Sequence, residues 1–305
     1  MSHEELRAAL AGVVAITVTP FGPDGEPDET AHAKLVDRLL TGGIPVITPN
    51  GNTSEFYALS PAETERMVDL TVQAVAGRAA VLCGVGHDLA TAIDAARYAH
   101  RAGATGIMIH QPVHPYLALD GWVDYHRAIA DAVPDLGVVL YMRNPRIGGA
   151  QLAALGAACP NVVGVKFAMP DPVRFATVAR DAGLDRFTWV AGMAELSAPG
   201  YRAVGAHGFT SGLANVAPEL AVRMQAALTA GDYPEAMRAW ELIRPFEEMR
   251  AAGESADNVS VVKEALAQLG LCGRAVRPPS RELDAAGRAR VGAILATWGL
   301  RVEHQ

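Results

Sequence analysis

The residue best suited to chemistry in this chain is Lys166. Of 26 basic residues only three are lysines, Lys34, Lys166 and Lys263; the rest are arginines. Lys34 and Lys263 sit among polar or helix-forming neighbours, where a solvated lysine is ordinary. Lys166 instead follows Asn161-Val162-Val163-Gly164-Val165 and precedes Phe167-Ala168, a β-branched apolar run that reads as a buried strand. An unpaired ammonium is costly to bury and sheds its proton there. The neutral amine is a nucleophile, and its natural target is a ketone or aldehyde carbon. The same run is also compatible with a lysine at a strand end that reaches water, so the surrounding elements must decide.

Those elements follow one rhythm. Short apolar runs at 13–19, 45–49, 79–85, 106–110, 137–142, 162–167, 187–191 and 206–211 read as strands. Amphipathic, alanine-rich stretches at 30–41, 61–76, 90–102, 119–132, 150–158, 172–182, 195–204 and 217–230 alternate with them as helices. Ser60-Pro61-Ala62-Glu63 is a helix start, with an N-cap, proline at the first helical position and a glutamate in the first turn; Asp171-Pro172 repeats the device. Eight β-then-α units at a spacing near 25 residues predict a (β/α)8 TIM barrel over residues 1–231. The alternative, an open doubly wound sheet, often carries a Gly-rich nucleotide turn, and no GxGxxG follows the first strand. Residues 232–305 show no strand signal and predict a C-terminal helical extension, with helices at 233–249, 256–269 and 284–298.

In such a barrel the strand C-termini and the loops after them build the active site. After the second strand comes Asn50-Gly51-Asn52-Thr53-Ser54-Glu55, a small polar loop able to hold a carboxylate, or a plain Asn-Gly turn. Of its residues Glu55 suits a structural anchor better than a catalyst. The fourth strand ends near His110 and His114, the fifth in Tyr141-Met142-Arg143-Asn144-Pro145-Arg146, the eighth in Gly208-Phe209-Thr210-Ser211-Gly212. Arg143 and Arg146 can each take a substrate carboxylate or form a solvated rim.

Bulk properties narrow the partners. Half of the 305 residues are hydrophobic, 19% are charged and the net charge is −7, with no basic cluster to favour nucleic acid or an anionic membrane. Three well-separated cysteines without a CxxC pair suggest neither a disulfide framework nor a zinc site, and they fit a reducing cytoplasm. Residues 1–10 lack an apolar signal core, and no run is long enough to span a membrane. His87-Asp88 and His110/His114 do not make a metal-binding pattern, so neither metal nor cofactor is expected.

With these motifs in order, the chain resembles the dihydrodipicolinate synthase / N-acetylneuraminate lyase family of class I aldolases over nearly its full length, from Thr17-Val18-Thr19-Pro20-Phe21 onward. The family's Gly-Thr-Thr-Gly-Glu loop corresponds to Gly51-Asn52-Thr53-Ser54-Glu55, its strand-five tyrosine to Tyr141, and its Gly-hydrophobic-Lys to Gly164-Val165-Lys166; the turn after strand eight matches 208–215. The resemblance implies an imine between Lys166 and a 2-oxo acid, proton transfer by Tyr141, a carboxylate held by Gly51, Asn52 and Thr53, and further substrate contacts from Thr210, Ser211 and Gly212. It also implies a homotetramer built from dimers. The departures are informative. Asn52 and Ser54 replace a threonine and a glycine. The synthase branch's relay tyrosine, donated to the neighbouring subunit's relay, falls near His114, with Tyr116 two residues on, so that relay is altered or absent. The synthase's arginine for a second carboxylate falls at Arg146, whereas Arg143 and the Glu55-Phe56 pair look like the sugar-acid dehydratase branch. A 2-oxo-3-deoxy or 5-oxo-4-deoxy sugar acid is therefore the expected substrate. The competing readings are pyruvate condensation of the synthase type and a non-catalytic 2-oxo-acid-binding barrel.

Overall fold

The computed structural model describes residues 1–300. Eight parallel strands close into a barrel in sequence order: β1 (Val13–Ile16), β2 (Val46–Thr48), β3 (Ala80–Val85), β4 (Gly106–Ile109), β5 (Gly137–Met142), β6 (Val162–Phe167), β7 (Thr188–Ala191) and β8 (Gly208–Ser211). Each predicted strand is present, and the connecting helices surround the barrel: α2 (Glu29–Thr41), α3 (Pro61–Val75), α4 (Leu89–Ala102), α5 (Leu119–Asp131), α6 (Gly149–Ala158), α7 (Pro172–Ala182), α8 (Ala194–Val204) and α9 (Pro218–Ala230). Ser60 and Asp171 cap α3 and α7 as their sequences predict.

Strand residues alternate between two cores. Val13, Ala15, Val138, Leu140, Val165 and Phe167 face outward into the large cluster under the helices. Val14, Ile16, Val139, Tyr141 and Val163 belong to the smaller cluster inside the barrel. Between β5 and β6 the register slips: Val138 pairs with Val162, but Val139 pairs with Gly164. This one-residue bulge sets Lys166 opposite Tyr141 on the inward face.

The sequence reading did not assign the first helix, α1 (His3–Leu10), which plugs the N-terminal end of the barrel with Leu6 and Leu10. A Cβ on Gly137 would lie 2.4 Å from Leu6 Cδ2, so the glycine at the start of β5 leaves room for the plug.

Beyond α9 lie α10 (Tyr233–Ser255), α11 (Asn258–Gln268) and α12 (Ala285–Thr297); residues 301–305 of the predicted extension lie outside the described residues. α10 packs on α8 and α9, and α11 reaches the turns after β2 and β8, so the extension crosses the barrel mouth. The helix breaks at Ala252–Glu254, and Gly253, Glu254 and Ser255 all take left-handed conformations. Here one sequence expectation is corrected. Lys263, read as a solvated helix residue, is fully buried, because α11 is covered on nearly every side. Its ammonium pairs with Glu55 and donates to Ala275 O at 2.7 Å. Among the described residues, no helix is long and apolar enough to cross a membrane.

Candidate active site

Lys166 projects from β6 into a pocket at the barrel mouth that Tyr141, Arg143, Asn52, Thr53 and Thr210 also line. It is only 6% exposed, and among the described residues no carboxylate pairs with it. Burial, helped by the nearby Arg143 guanidinium, lowers its pKa to about 8. At neutral pH about one amine in ten is then neutral, against about one in several thousand for a free lysine. Gly192, just past β7, makes the space: a Cβ there would lie 2.9 Å from Lys166 Cγ and 2.8 Å from Ala168 Cβ.

Tyr141 is the partner next door. Lys166 Nζ lies 4.6 Å from its ring centroid. Its hydroxyl accepts a hydrogen bond from Asn52 Nδ2 at 3.2 Å. Burial raises the phenol's pKa, while Arg143 and Asn52 oppose the rise by favouring the phenolate. A buried amine and a hydrogen-bonded phenol on adjacent strands can attack a carbonyl and move the protons that the attack releases.

The loop after β2 is held rigidly. Gly51 N–H donates to Ser54 Oγ at 3.0 Å, and Ser54 Oγ donates in turn to Thr17 O. Thr19 Oγ1 donates to Ser54 O at 2.8 Å. Glu55, in a left-handed conformation, accepts from Lys263 and from Arg277 N–H at 2.7 Å. Glu55 is thus the anchor of its loop, as its position in the sequence suggested. The short turn Asn52–Ser54 bonds through Ser54 N–H to Gly51 O and Glu55 N–H to Asn52 O, which leaves the N–H groups of Asn52 and Thr53 outside these bonds. His110 braces the same loop from behind: its Nε2 donates to Asn50 O at 2.8 Å, its ring stacks on Phe56, and burial pushes its pKa down to about 3, so it is neutral.

The other sequence candidates divide. Thr210 and Gly212 line the pocket, but Ser211, one residue between them, points away and donates to Glu195. Gly51 sits behind Asn52 rather than in the lining. Arg146 is exposed outside the pocket, its N–H donating to Asn144 Oδ1 at 2.9 Å. His114 is exposed on the loop after β4, where its Nδ1 accepts from Tyr116 N–H at 3.2 Å. Within this chain neither residue reaches the pocket that holds Lys166. Among the lining residues the sequence reading missed are three polar ones far along the chain, Glu247 and Arg250 of α10 and Asn258 of α11. Their spacing looks like an ordinary helix-surface ion pair, and no strand pattern places them over the barrel mouth.

A family model described as the dihydrodipicolinate synthetase family matches residues 9–297. The chain belongs to this family. It is 37% identical to a 4-hydroxy-tetrahydrodipicolinate synthase of Hyphomonas neptunium, covering 95% of this chain and 98% of that one. It is 31% identical to a protein of Methylobacterium radiotolerans named as a probable 5-dehydro-4-deoxyglucarate dehydratase, covering 96% of each. The crystal structure of dihydrodipicolinate synthase from Bacillus clausii superposes with a TM-score of 0.93 at 41% identity, over 97% of this chain and all of that one. As a member of the dihydrodipicolinate synthetase family the protein is an enzyme, a class I lyase for a 2-oxo acid, and both the synthase and the sugar-acid dehydratase branches are among its relatives.

Proposed function

We propose that the protein binds a 2-oxo sugar acid as an imine of Lys166 and eliminates water from it or cleaves it. The observation that carries this reading is the Lys166 amine: buried, without a carboxylate partner among the described residues, and beside the Tyr141 phenol in the pocket of the barrel. The substrate carboxylate rests on the Thr53 hydroxyl and the N–H groups of Asn52 and Thr53. The neutral amine adds to C2, and water leaves as the C=N bond forms. The protonated imine then draws electrons from C3. Loss of the C3 proton gives an enamine, which expels the C4 hydroxyl as water in a dehydratase; cleavage of the C3–C4 bond gives the same kind of enamine in an aldolase. Tyr141, supported by Asn52 and Arg143, carries protons to and from the carbinolamine oxygen and the leaving group. The dehydratase direction is favoured because Arg143 lines the pocket whereas Arg146, the position a synthase would use for a second carboxylate, does not.

Incubation with pyruvate and borohydride tests the imine: reduction is expected to add the ligand's mass to the peptide containing Lys166. Label on Lys34 or Lys263, or no label, overturns the assignment. For the branch, turnover of a 5-oxo-4-deoxy or 2-oxo-3-deoxy sugar acid is expected to exceed condensation of pyruvate with aspartate semialdehyde; the reverse order favours the synthase. We also infer a cytoplasmic homotetramer. The assembly inference is supported by the family, and the location by the odd number and wide spacing of the three cysteines. Light scattering at micromolar concentration checks the assembly, and a monomer refutes it.

A further inference from the structure

Part of the pocket wall comes from the C-terminal extension rather than from the barrel. Glu247 and Arg250 on α10, and Asn258 at the start of α11, line the same cavity as Lys166, so one extended ligand can touch both. Glu247 and Arg250 are 4% and 5% exposed. Arg250 Nη1 donates to Glu247 Oε1 at 2.5 Å and Nη2 donates to Asn258 Oδ1 at 2.7 Å, which fixes the guanidinium in one plane. The barrel is shaped to receive it: a Cβ on Gly212, at the end of β8, would lie 2.2 Å from Arg250 Nη2. Gly212 has an ordinary φ of −91°, so glycine stands there for room and not for conformation. The left-handed residues Gly253, Glu254 and Ser255 turn the chain between α10 and α11, and Ser255 and Asn258 both reach the lining.

A buried ion pair of this kind is poor evidence for stability, since apolar residues of similar size often do as well. In a pocket wall it has another use. We infer that Glu247, Arg250 and Asn258 form the subsite for the far end of the substrate and select a carbon chain bearing hydroxyl groups. This inference rests on the Lys166 reading above and names the substrate class for that same pocket. A hydroxyl both donates and accepts, which is what an adjacent carboxylate and guanidinium offer. The charge of the wall argues for hydroxyls over a second carboxylate. Glu247 offsets Arg250, and Glu195 behind them adds no clear opposing charge, because burial and the Glu247 carboxylate favour its protonated form. A terminal carboxylate, where the substrate has one, finds its cation at Arg143 on the exposed rim.

Borohydride trapping with the full-length protein compares 2-oxo-3-deoxygluconate, which carries hydroxyls, with 2-oxohexanoate, which does not. In the wild type the hydroxylated acid is expected to half-saturate trapping at a concentration at least ~10-fold lower, because groups built to bond a hydroxyl are left unpaired by the analogue. Glu247→Gln and Arg250→Lys are each expected to reduce that ratio toward one. Because a single change leaves one buried charge unpaired, the double variant Glu247→Met/Arg250→Met serves as the second probe, and its ratio is expected to fall to one or below. A wild-type ratio near one, or variants that retain the wild-type ratio, overturn the subsite while leaving the imine intact. Absence of trapping with pyruvate as well overturns the imine reading itself and the subsite with it.

Discussion

The protein buries two lysines at the same end of one barrel and treats them in opposite ways. Lys263 is wholly enclosed, yet its ammonium has a carboxylate in Glu55, a carbonyl in Ala275 and the face of Phe21 with its centroid 4.1 Å away. Burial lowers its pKa while Glu55 works against the fall. Lys166 is slightly less buried and, among the described residues, has a phenol beside it and a guanidinium nearby but no carboxylate. Burial alone therefore does not make a nucleophile. The absence of a counter-ion makes the amine shed its proton, and an open pocket gives the neutral amine something to attack. The paired lysine instead fastens α11 to the loop after β2, the loop that carries Asn52 and Thr53. One lysine is proposed to perform the chemistry, and the other holds in place the loop proposed to receive the substrate carboxylate.

The comparison is tested most strongly by exchanging each lysine for methionine. Lys166→Met is expected to abolish borohydride trapping and lower turnover by roughly 10⁴–10⁶-fold, the scale for losing a covalent nucleophile. Its fold gains stability. An amine whose pKa falls from 10.5 to about 8 on folding carries its full cost below pH 8, and the cost fades as pH rises toward the unfolded value. Thermal or urea unfolding should therefore show the variant more stable by about 3 kcal/mol at pH 7, with the gap closing above pH 10. Lys263→Met should do the reverse. It strands Glu55 as a buried unpaired charge and should destabilise by about 3–5 kcal/mol in urea titrations, while the protein that remains folded is still labelled at Lys166. Equal stability losses for both variants would erase the distinction.

Smaller changes sharpen it. Tyr141→Phe should lower the chemical rate by roughly 10²–10⁴-fold with the fold intact, as judged by circular dichroism and single-turnover kinetics. A loss below tenfold would remove the phenol from proton transfer. The pH dependence is the mildest test. Because the depressed amine becomes neutral as pH rises through about 8, the initial rate of trapping with pyruvate should climb about tenfold from pH 7 to its plateau. A midpoint near 10 instead would show an amine that behaves as if solvated.

Much of the architecture was legible in the chain because barrel strands and helices carry strong local signals. Runs buried on both sides read as β-branched segments, and capped amphipathic stretches read as helices. The strand-end rule then ranked Lys166, Tyr141, Thr53 and Thr210 without coordinates, and all four line one pocket. The rule could not tell which neighbour along a strand faces inward, so Ser211 was grouped with Thr210 although alternation turns it toward Glu195. Arg146 and His114 lie outside this chain's pocket for a related cause: both are on loops, whose paths follow long-range contacts more than local pattern.

What the sequence by itself determined is the repeating β/α order and the placement of one lysine in an apolar strand, because both depend on side chains within a few residues of each other. Tertiary structure decided the rest. The bulge that sets Lys166 against Tyr141, the seal that α1 places under the barrel, and the burial of Lys263 all depend on residues far apart in the chain. So does the wall of Glu247, Arg250 and Asn258, because a polar helix residue reads as solvent-facing until another element covers it. Charge and burial at these positions belong to the packing of distant segments, and no local pattern encodes them.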